Sequence, residues 1–319
     1  MSFTVVNAIP FLTAEAKALL EQSGCHIKQL DLAKFTEDEI CETLRGVNAT
    51  IAGGEHYTEN VFRAADRLKV VARTGVGYDH VDTLAAADHG VWVTTTPGAT
   101  SAAVADFTLA LILSLLRHVP GMAQEMKGDT WNQLTGLELA SMTLGVVGTG
   151  SIGREVIKRA AAFGTKVIAY DLQQDADFAE QWHVQYLPLD ELMAQSNIVS
   201  LHVPANEETI GLIDERRIKL MKREAYLVNT SRPNVLVKDA LVQALEANAI
   251  KGAAIDVHDT VPCPPGDPLV HLDNVIATPW AAYKTQEAIA NMCITAARDV
   301  VAVLQGGKPR FPVNKVPPV

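Results

Sequence analysis

Short apolar runs alternate with helical patterns along the whole chain. "FTVVNAI", "HIKQLDL", "ATIAGG", "LKVVARTG" and "VWVTTTPG" read as strands. Between them lie helix-like segments at Ala14–Gln22, Asp38–Arg45 and Asn60–Ala65. That alternation predicts an α/β unit of about 100 residues built on a parallel sheet. A helix at about 101–119 and a looser stretch around Gly121–Leu137 lead to a second set of runs. These are "TLGVVG", "KVIAYD", "NIVSLHVP", "AYLVNTSR", "GAAIDVH" and "NVIATP", again with helices between them. Thr285–Gln305 is one long helical pattern closed by Gly306-Gly307, a C-cap signal. The residues after it are too few for a domain, so this helix is expected to return to the first unit. The predicted layout is a discontinuous first domain, about 1–100 plus 285–319, with a contiguous domain at 101–284 inserted.

The length of 319 residues suits two domains of ordinary size. Apolar residues make up 48% of the chain, which marks a globular protein and not a disordered one. A net charge of −10 argues against nucleic acid or an anionic membrane surface as partner. The cysteines Cys25, Cys41, Cys263 and Cys293 are scattered without a CxxC pair, as in a protein of the reducing cytoplasm. No HExxH or other close histidine pairing occurs, so no metal site is expected. The start, MSFTVVNAIP, has no basic region and leads straight into a strand, so no signal peptide is expected. Leu109–Leu116 is far shorter than the ~20 residues a bilayer needs and reads as a buried helix.

The chemistry centres on Gly148-Thr149-Gly150-Ser151-Ile152-Gly153, a GxGxxG. Alone it is weak. Here it follows a strand, Leu144–Val147, and opens a helix, Arg154–Phe163, that leads to a second strand, Lys166–Asp171. Asp171 stands eighteen residues after the last glycine. Together these make a dinucleotide fingerprint. Gly148 permits the tight turn, Gly150 lets the backbone approach a pyrophosphate, and Gly153 lets the helix pack on the sheet. The free N–H groups around Ser151 and Ile152 face the phosphates at the helix start. Asp171 would accept hydrogen bonds from ribose hydroxyls and repel a 2′-phosphate, which favours NAD over NADP.

With the fingerprint in place, other stretches fall into line: "LKVVARTGVGYDHVD", "GLELASMTLGVVGTGSIGREV", "SLHVPANEETIGLI", "YLVNTSRPNVLVKDALVQAL", "GAAIDV" and "NVIATP". By these the chain resembles the D-isomer-specific 2-hydroxyacid dehydrogenases, and the resemblance runs from about residue 50 to near the end. It implies two Rossmann-like doubly wound α/β domains with a cleft between them that holds a small carboxylate substrate. It also implies a homodimer built through the nucleotide domains. Arg232 in "NTSR" matches the arginine that binds the substrate's carboxylate and carbonyl, as a guanidinium fork suits. Gly75, Val76 and Gly77 match the turn whose N–H groups hold that carboxylate. Arg73 is either an anion contact or a plain salt bridge. Val203, Thr230, Ser231 and Asp256 match positions lining the cofactor, the last near the nicotinamide amide.

The chain departs from the family pattern at its proton relay. Trp280 stands where a His follows Thr-Pro, Val261 where a Glu precedes Pro, and Pro233 where a Gly follows the arginine. Losing such an acid/base group typically costs about 10²- to 10⁴-fold in rate. Three accounts remain open. Another residue takes the proton, with Lys284 and Tyr283 first and His258 and Asp259 behind; a lysine desolvated against Trp280 would serve. Alternatively the substrate needs no relay, and Trp280 stacks on an apolar or aromatic group. In the third, the protein binds NAD(H) as a sensor or interaction module and catalyses nothing.

Overall fold

A computed structural model describes residues 2–316 of the chain. It divides into two compact units, Met1–Thr100 with Thr285–Val319, and Ser101–Lys284.

The first unit carries β1 (Phe3–Asn7), β2 (Cys25–Gln29), β3 (Ala49–Ala52), β4 (Val70–Arg73) and β5 (Trp92–Thr94). They form one parallel sheet in the order β2-β1-β3-β4-β5. The central strands are apolar on both faces because each face is covered. Val6, Ala52, Val71 and Val93 meet Leu44, Val61 and Phe62 on one side. Val5, Ile51, Val70 and Ala72 meet Leu20 and the long final helix, Gln286–Leu304, through Cys293, Ala296, Ala297 and Val300. Thr285 caps that helix by accepting from the Ala288 N–H at 3.1 Å.

The second unit carries β6 (Thr143–Val147), β7 (Lys166–Tyr170), β8 (Gln185–Tyr186), β9 (Ile198–Leu201), β10 (Tyr226–Asn229), β11 (Gly252–Ile255) and β12 (Val275–Ala277). The sheet is parallel throughout, in the order β12-β11-β10-β9-β6-β7-β8. Strand order reverses between β9 and β6, so the crevice outside their carboxyl ends is where an α/β sheet of this kind takes a ligand. Helix Ser101–Arg117 covers one face through Ala105, Leu109 and Ile112 against Leu144, Val146 and Ile157. Both units are therefore Rossmann-like α/β domains, as the alternation of runs predicts.

Two local expectations are corrected. The stretch read as loose contains a helix, Val119–Lys127, whose Pro120 sits in the first turn where its missing N–H costs nothing. That helix buries no residue, so it has no core-facing periodicity to detect. The helix after the glycine turn begins at Ser151, not Arg154, which places Ser151, Ile152 and Gly153 inside its first turn. Among the described residues no single helix is long and apolar enough to cross a membrane.

Candidate active site

The fingerprint glycines are each required by a different contact at the end of β6. Gly148 has φ +96°, and a Cβ there would lie 2.8 Å from the His202 carbonyl, so the ends of β6 and β9 touch at the reversal point. A Cβ on Gly153 would lie 2.0 Å from the Gly148 carbonyl oxygen, so the helix can sit this close only without a side chain there. Gly150 differs: a Cβ would meet nothing within 4 Å, so space stands open over the turn. Gly150 provides no side-chain cap, and among the described residues the Ser151, Ile152 and Gly153 N–H groups have no acceptor. Three unsatisfied donors at the positive end of a twelve-residue helix, beneath open space, fit a pyrophosphate.

Asp171 follows β7 and is held in place from the same turn. Its Oδ2 accepts from the Thr149 N–H at 2.6 Å and from Thr149 Oγ1 at 3.0 Å, and its Oδ1 accepts from the Gln173 N–H at 2.9 Å. The carboxylate stays partly exposed, with acceptor capacity left for a diol.

The loop after β10 is tied by Asn229. Its Oδ1 accepts from the Ser231 N–H and hydroxyl, at 3.0 and 2.9 Å, and its Nδ2 donates to the Arg232 carbonyl at 2.9 Å. Thr230 shares a 3.0 Å hydrogen bond with Thr108, whose own proton goes to the Val104 carbonyl, so Thr230 is the donor. The hydroxyl protons of these two residues, matched to positions lining the cofactor, are thus engaged inside the unit; the sequence could not show which neighbours take them. Val203 lies against Gly148, 2.9 Å from where its Cβ would be. Arg232 is half-buried, with Nη1 donating to the Ser231 carbonyl at 3.0 Å.

Asp256, 1% exposed, organises the loop that leaves β12. Its Oδ1 accepts from Thr278 Oγ1 at 2.7 Å and from the Ala281 N–H at 2.9 Å, and its Oδ2 accepts from the Ala282 N–H at 2.9 Å. Its main-chain carbonyl takes the Trp280 N–H at 2.9 Å. Beside the place near the nicotinamide amide that the family resemblance implies for it, Asp256 thus holds this loop. Within it Trp280 adopts φ +54°, a left-handed conformation that a bulky residue takes at some cost. Tyr283 is half-buried, and burial, with the Asp256 charge, pushes its hydroxyl above the usual tyrosine range. Lys284 is exposed, so the desolvation expected of it against Trp280 is absent. His258 donates from Nε2 to the Thr278 carbonyl at 2.9 Å, and Asp259 pairs with Lys238 at 3.6 Å.

In the first unit, the turn after β4 begins at Gly75, whose φ of +132° is a glycine conformation. Its N–H is already donated to Thr96 Oγ1 at 2.8 Å, which narrows the expected carboxylate donors to Val76 and Gly77. Arg73 donates from Nε to the Gly77 carbonyl at 3.0 Å.

Residues 109–282 match the family model for the D-isomer specific 2-hydroxyacid dehydrogenase NAD-binding domain. A glyoxylate reductase of Thermofilum pendens is 41% identical over 262 residues, 80% of this chain and 77% of that one. The chain belongs to the D-isomer specific 2-hydroxyacid dehydrogenases, a family of NAD-dependent oxidoreductases. Among solved structures similar to this family member, the TT0316 protein of Thermus thermophilus has a TM-score of 0.89 at 34% identity, covering 98% of this chain and 100% of that one. An acyclic imino acid reductase in complex with NADPH and D-Arg has a TM-score of 0.89 at 25% identity, covering 98% of this chain and 100% of that one.

Thr149 and Arg154 of this dehydrogenase-family site escaped the sequence reading as functional, and His202 beside them is a buried structural residue. Thr149, the first x of the fingerprint, fixes Asp171. Arg154 is held by the Thr149 carbonyl at 2.9 Å, by Asp175 at 2.8 Å, and over the Phe178 ring at 4.8 Å from its centroid. His202 shares a 2.8 Å hydrogen bond between Nε2 and Ser200, while its Nδ1 is buried with no partner. Burial lowers its pKa from the ordinary 6.5 to about 3. Between those values the unfolded chain binds a proton that the folded chain refuses, so stability falls as pH drops from 6.5 towards 3. By pH 4.5 the loss from this group is about 2–3 kcal/mol. Urea unfolding at pH 7 and 4.5 is expected to show His202→Gln losing correspondingly less stability on acidification than the parent.

Proposed function

We propose that the protein interconverts a small 2-oxo and 2-hydroxy carboxylate, using NAD(H) held at the β6 turn. The observation that carries this is the uncapped, open Gly150–Gly153 turn at the strand reversal, with Asp171 fixed beside it. The Ser151, Ile152 and Gly153 N–H groups take the pyrophosphate, and Asp171 takes the ribose hydroxyls. Arg154, committed to Thr149, Asp175 and Phe178, is not set out to meet a 2′-phosphate, which supports NAD. Bound there, the cofactor supplies or accepts the hydride. On the family's pattern, Arg232 pairs with the substrate and polarises its carbonyl; in the first unit, the Val76 and Gly77 N–H groups are the amides that the same pattern gives to a carboxylate.

Trp280 takes the place of the acid/base in this reading and presents an apolar surface to the substrate. Of the two candidates for the proton, Tyr283 carries a half-buried hydroxyl in the loop after Trp280, whereas Lys284 is exposed. The protein acts as a homodimer in the cytoplasm on this reading. Val119, Met126, Trp131, Leu134 and Leu137 are exposed along one segment of the nucleotide unit, Trp131 to 78%, and a second copy would cover them. The four cysteines are free, in keeping with a reducing compartment.

A second reading is favoured by the likeness to the imino acid reductase. A protonated imine already carries its proton, so its reduction leaves a neutral amine that water can protonate, and the chain need provide no acid. NADH consumption with glyoxylate, hydroxypyruvate, pyruvate and phenylpyruvate, each with and without ammonium, tests both readings. The first expects a 2-hydroxy acid product at a rate indifferent to ammonium. An absolute need for ammonium with an amino acid product transfers the assignment to imines. No turnover, from protein that binds NADH tightly, returns it to the sensor account.

A further inference from the structure

The turn after β4 is clamped from both ends, and the clamps aim its N–H groups. At Gly75, Thr96 engages both sides of the residue: its Oγ1 accepts the Gly75 N–H at 2.8 Å, and its main-chain N–H donates to the Gly75 carbonyl at 2.9 Å. The Thr96 hydroxyl also lies 3.3 Å from that carbonyl, within reach to donate. Thr96 is fully buried, so this hold is rigid and dry. At the other end, Arg73 Nε holds the Gly77 carbonyl at 3.0 Å. In a trans peptide the C=O and the following N–H point in opposite directions. Drawing in the Gly75 carbonyl therefore turns the Val76 N–H outward, and drawing in the Gly77 carbonyl does the same for the Tyr78 N–H. Among the described residues Val76, Gly77 and Tyr78 N–H groups have no acceptor.

We propose that Thr96 and Arg73 are positioning residues that hold Val76, Gly77 and Tyr78 as a three-amide cradle for the substrate carboxylate, and that Arg73 does not itself pair with it. This rests on the carboxylate reading given above and adds to it a third donor and the two residues that aim the set. Arg73 acts through its Nε–H on the Gly77 carbonyl.

The test is titration of NADH-saturated, ¹⁵N-labelled protein with sodium oxalate, following the Val76, Gly77 and Tyr78 amide signals beside calorimetry. All three signals are expected to move in the parent. Thr96→Val removes the hydroxyl at nearly constant volume and charge, and is expected to weaken oxalate about tenfold with NADH affinity unchanged. Thr96→Ser keeps the hydroxyl and should bind like the parent. Arg73→Gln puts a neutral N–H donor at the place of Nε, so a positioning role predicts a loss of no more than about threefold, against about a hundredfold for a direct ion pair. Oxalate affinity unmoved by Thr96→Val, or the hundredfold loss in Arg73→Gln, overturns the inference while the carboxylate reading stands. Should Thr96→Val not fold, Arg73→Gln and the Tyr78 signal still decide it. A parent protein that binds NADH and no oxalate overturns the carboxylate reading, and this inference with it.

Discussion

Arg232→Gln is expected to lower kcat/KM for the reduced 2-oxo acid by about a thousandfold, with NADH affinity within a factor of about two of the parent. On the proposed reading the planar fork meets both carboxylate and carbonyl, and the carbonyl oxygen gains charge as the reaction proceeds, so the contact strengthens towards the transition state. Arg232→Lys keeps the charge without the fork and should recover only part of the rate. The Asn229 side chain ties the loop through the Ser231 N–H and hydroxyl and the Arg232 carbonyl, none of which involves the guanidinium, so the unit should fold in both variants. Steady-state kinetics alongside NADH fluorescence titration checks this. A sensor would lose nothing measurable in cofactor affinity and would have no turnover to lose.

Asp256→Asn is expected to destabilise the nucleotide unit by about 3 kcal/mol or more, seen as a lower midpoint in urea. The carboxylate is buried and takes three donors, and an amide can accept on one oxygen only. Its NH₂ would face either the Ala282 N–H or the pair from Thr278 and Ala281, donor against donor. The loop 278–282 should loosen, releasing Trp280 from its left-handed backbone conformation, so near-ultraviolet circular dichroism should change before the far-ultraviolet signal does. Tyr283 loses a neighbouring negative charge in the same variant, and its hydroxyl should titrate lower than in the parent.

The fold was legible because it rests on local repetition. Runs such as Leu144–Val147 and Gly252–Ile255 carry no polar side chain since both sheet faces are covered, and that leaves a signal any covered parallel strand must carry. The glycine turn was legible for a similar reason. Gly148 and Gly153 sit where a Cβ would strike backbone, so the residue type itself records the contact. Side-chain duties were less so. Thr230 and Ser231 carry hydroxyls that suit a cofactor, and only the fold shows Thr108 and Asn229 engaging them. Lys284 comes after an apolar loop in sequence yet emerges into solvent.

By itself the sequence determined the parallel α/β class, the dinucleotide turn with its acidic residue, and the kinship to the 2-hydroxyacid dehydrogenases. Each of these is written in spacing along one strand–turn–helix or in residue types that one local geometry demands. Tertiary structure alone decided how the polar groups pair. It gave Asp256 to its own loop, Asp171 to Thr149, and the Gly75 N–H and carbonyl to Thr96. The physical reason is that a hydrogen bond depends on direction and distance between residues far apart in the chain, and many arrangements satisfy the same composition. Thr96 stands twenty-one residues from Gly75, and no local pattern joins them before β4 and β5 lie side by side.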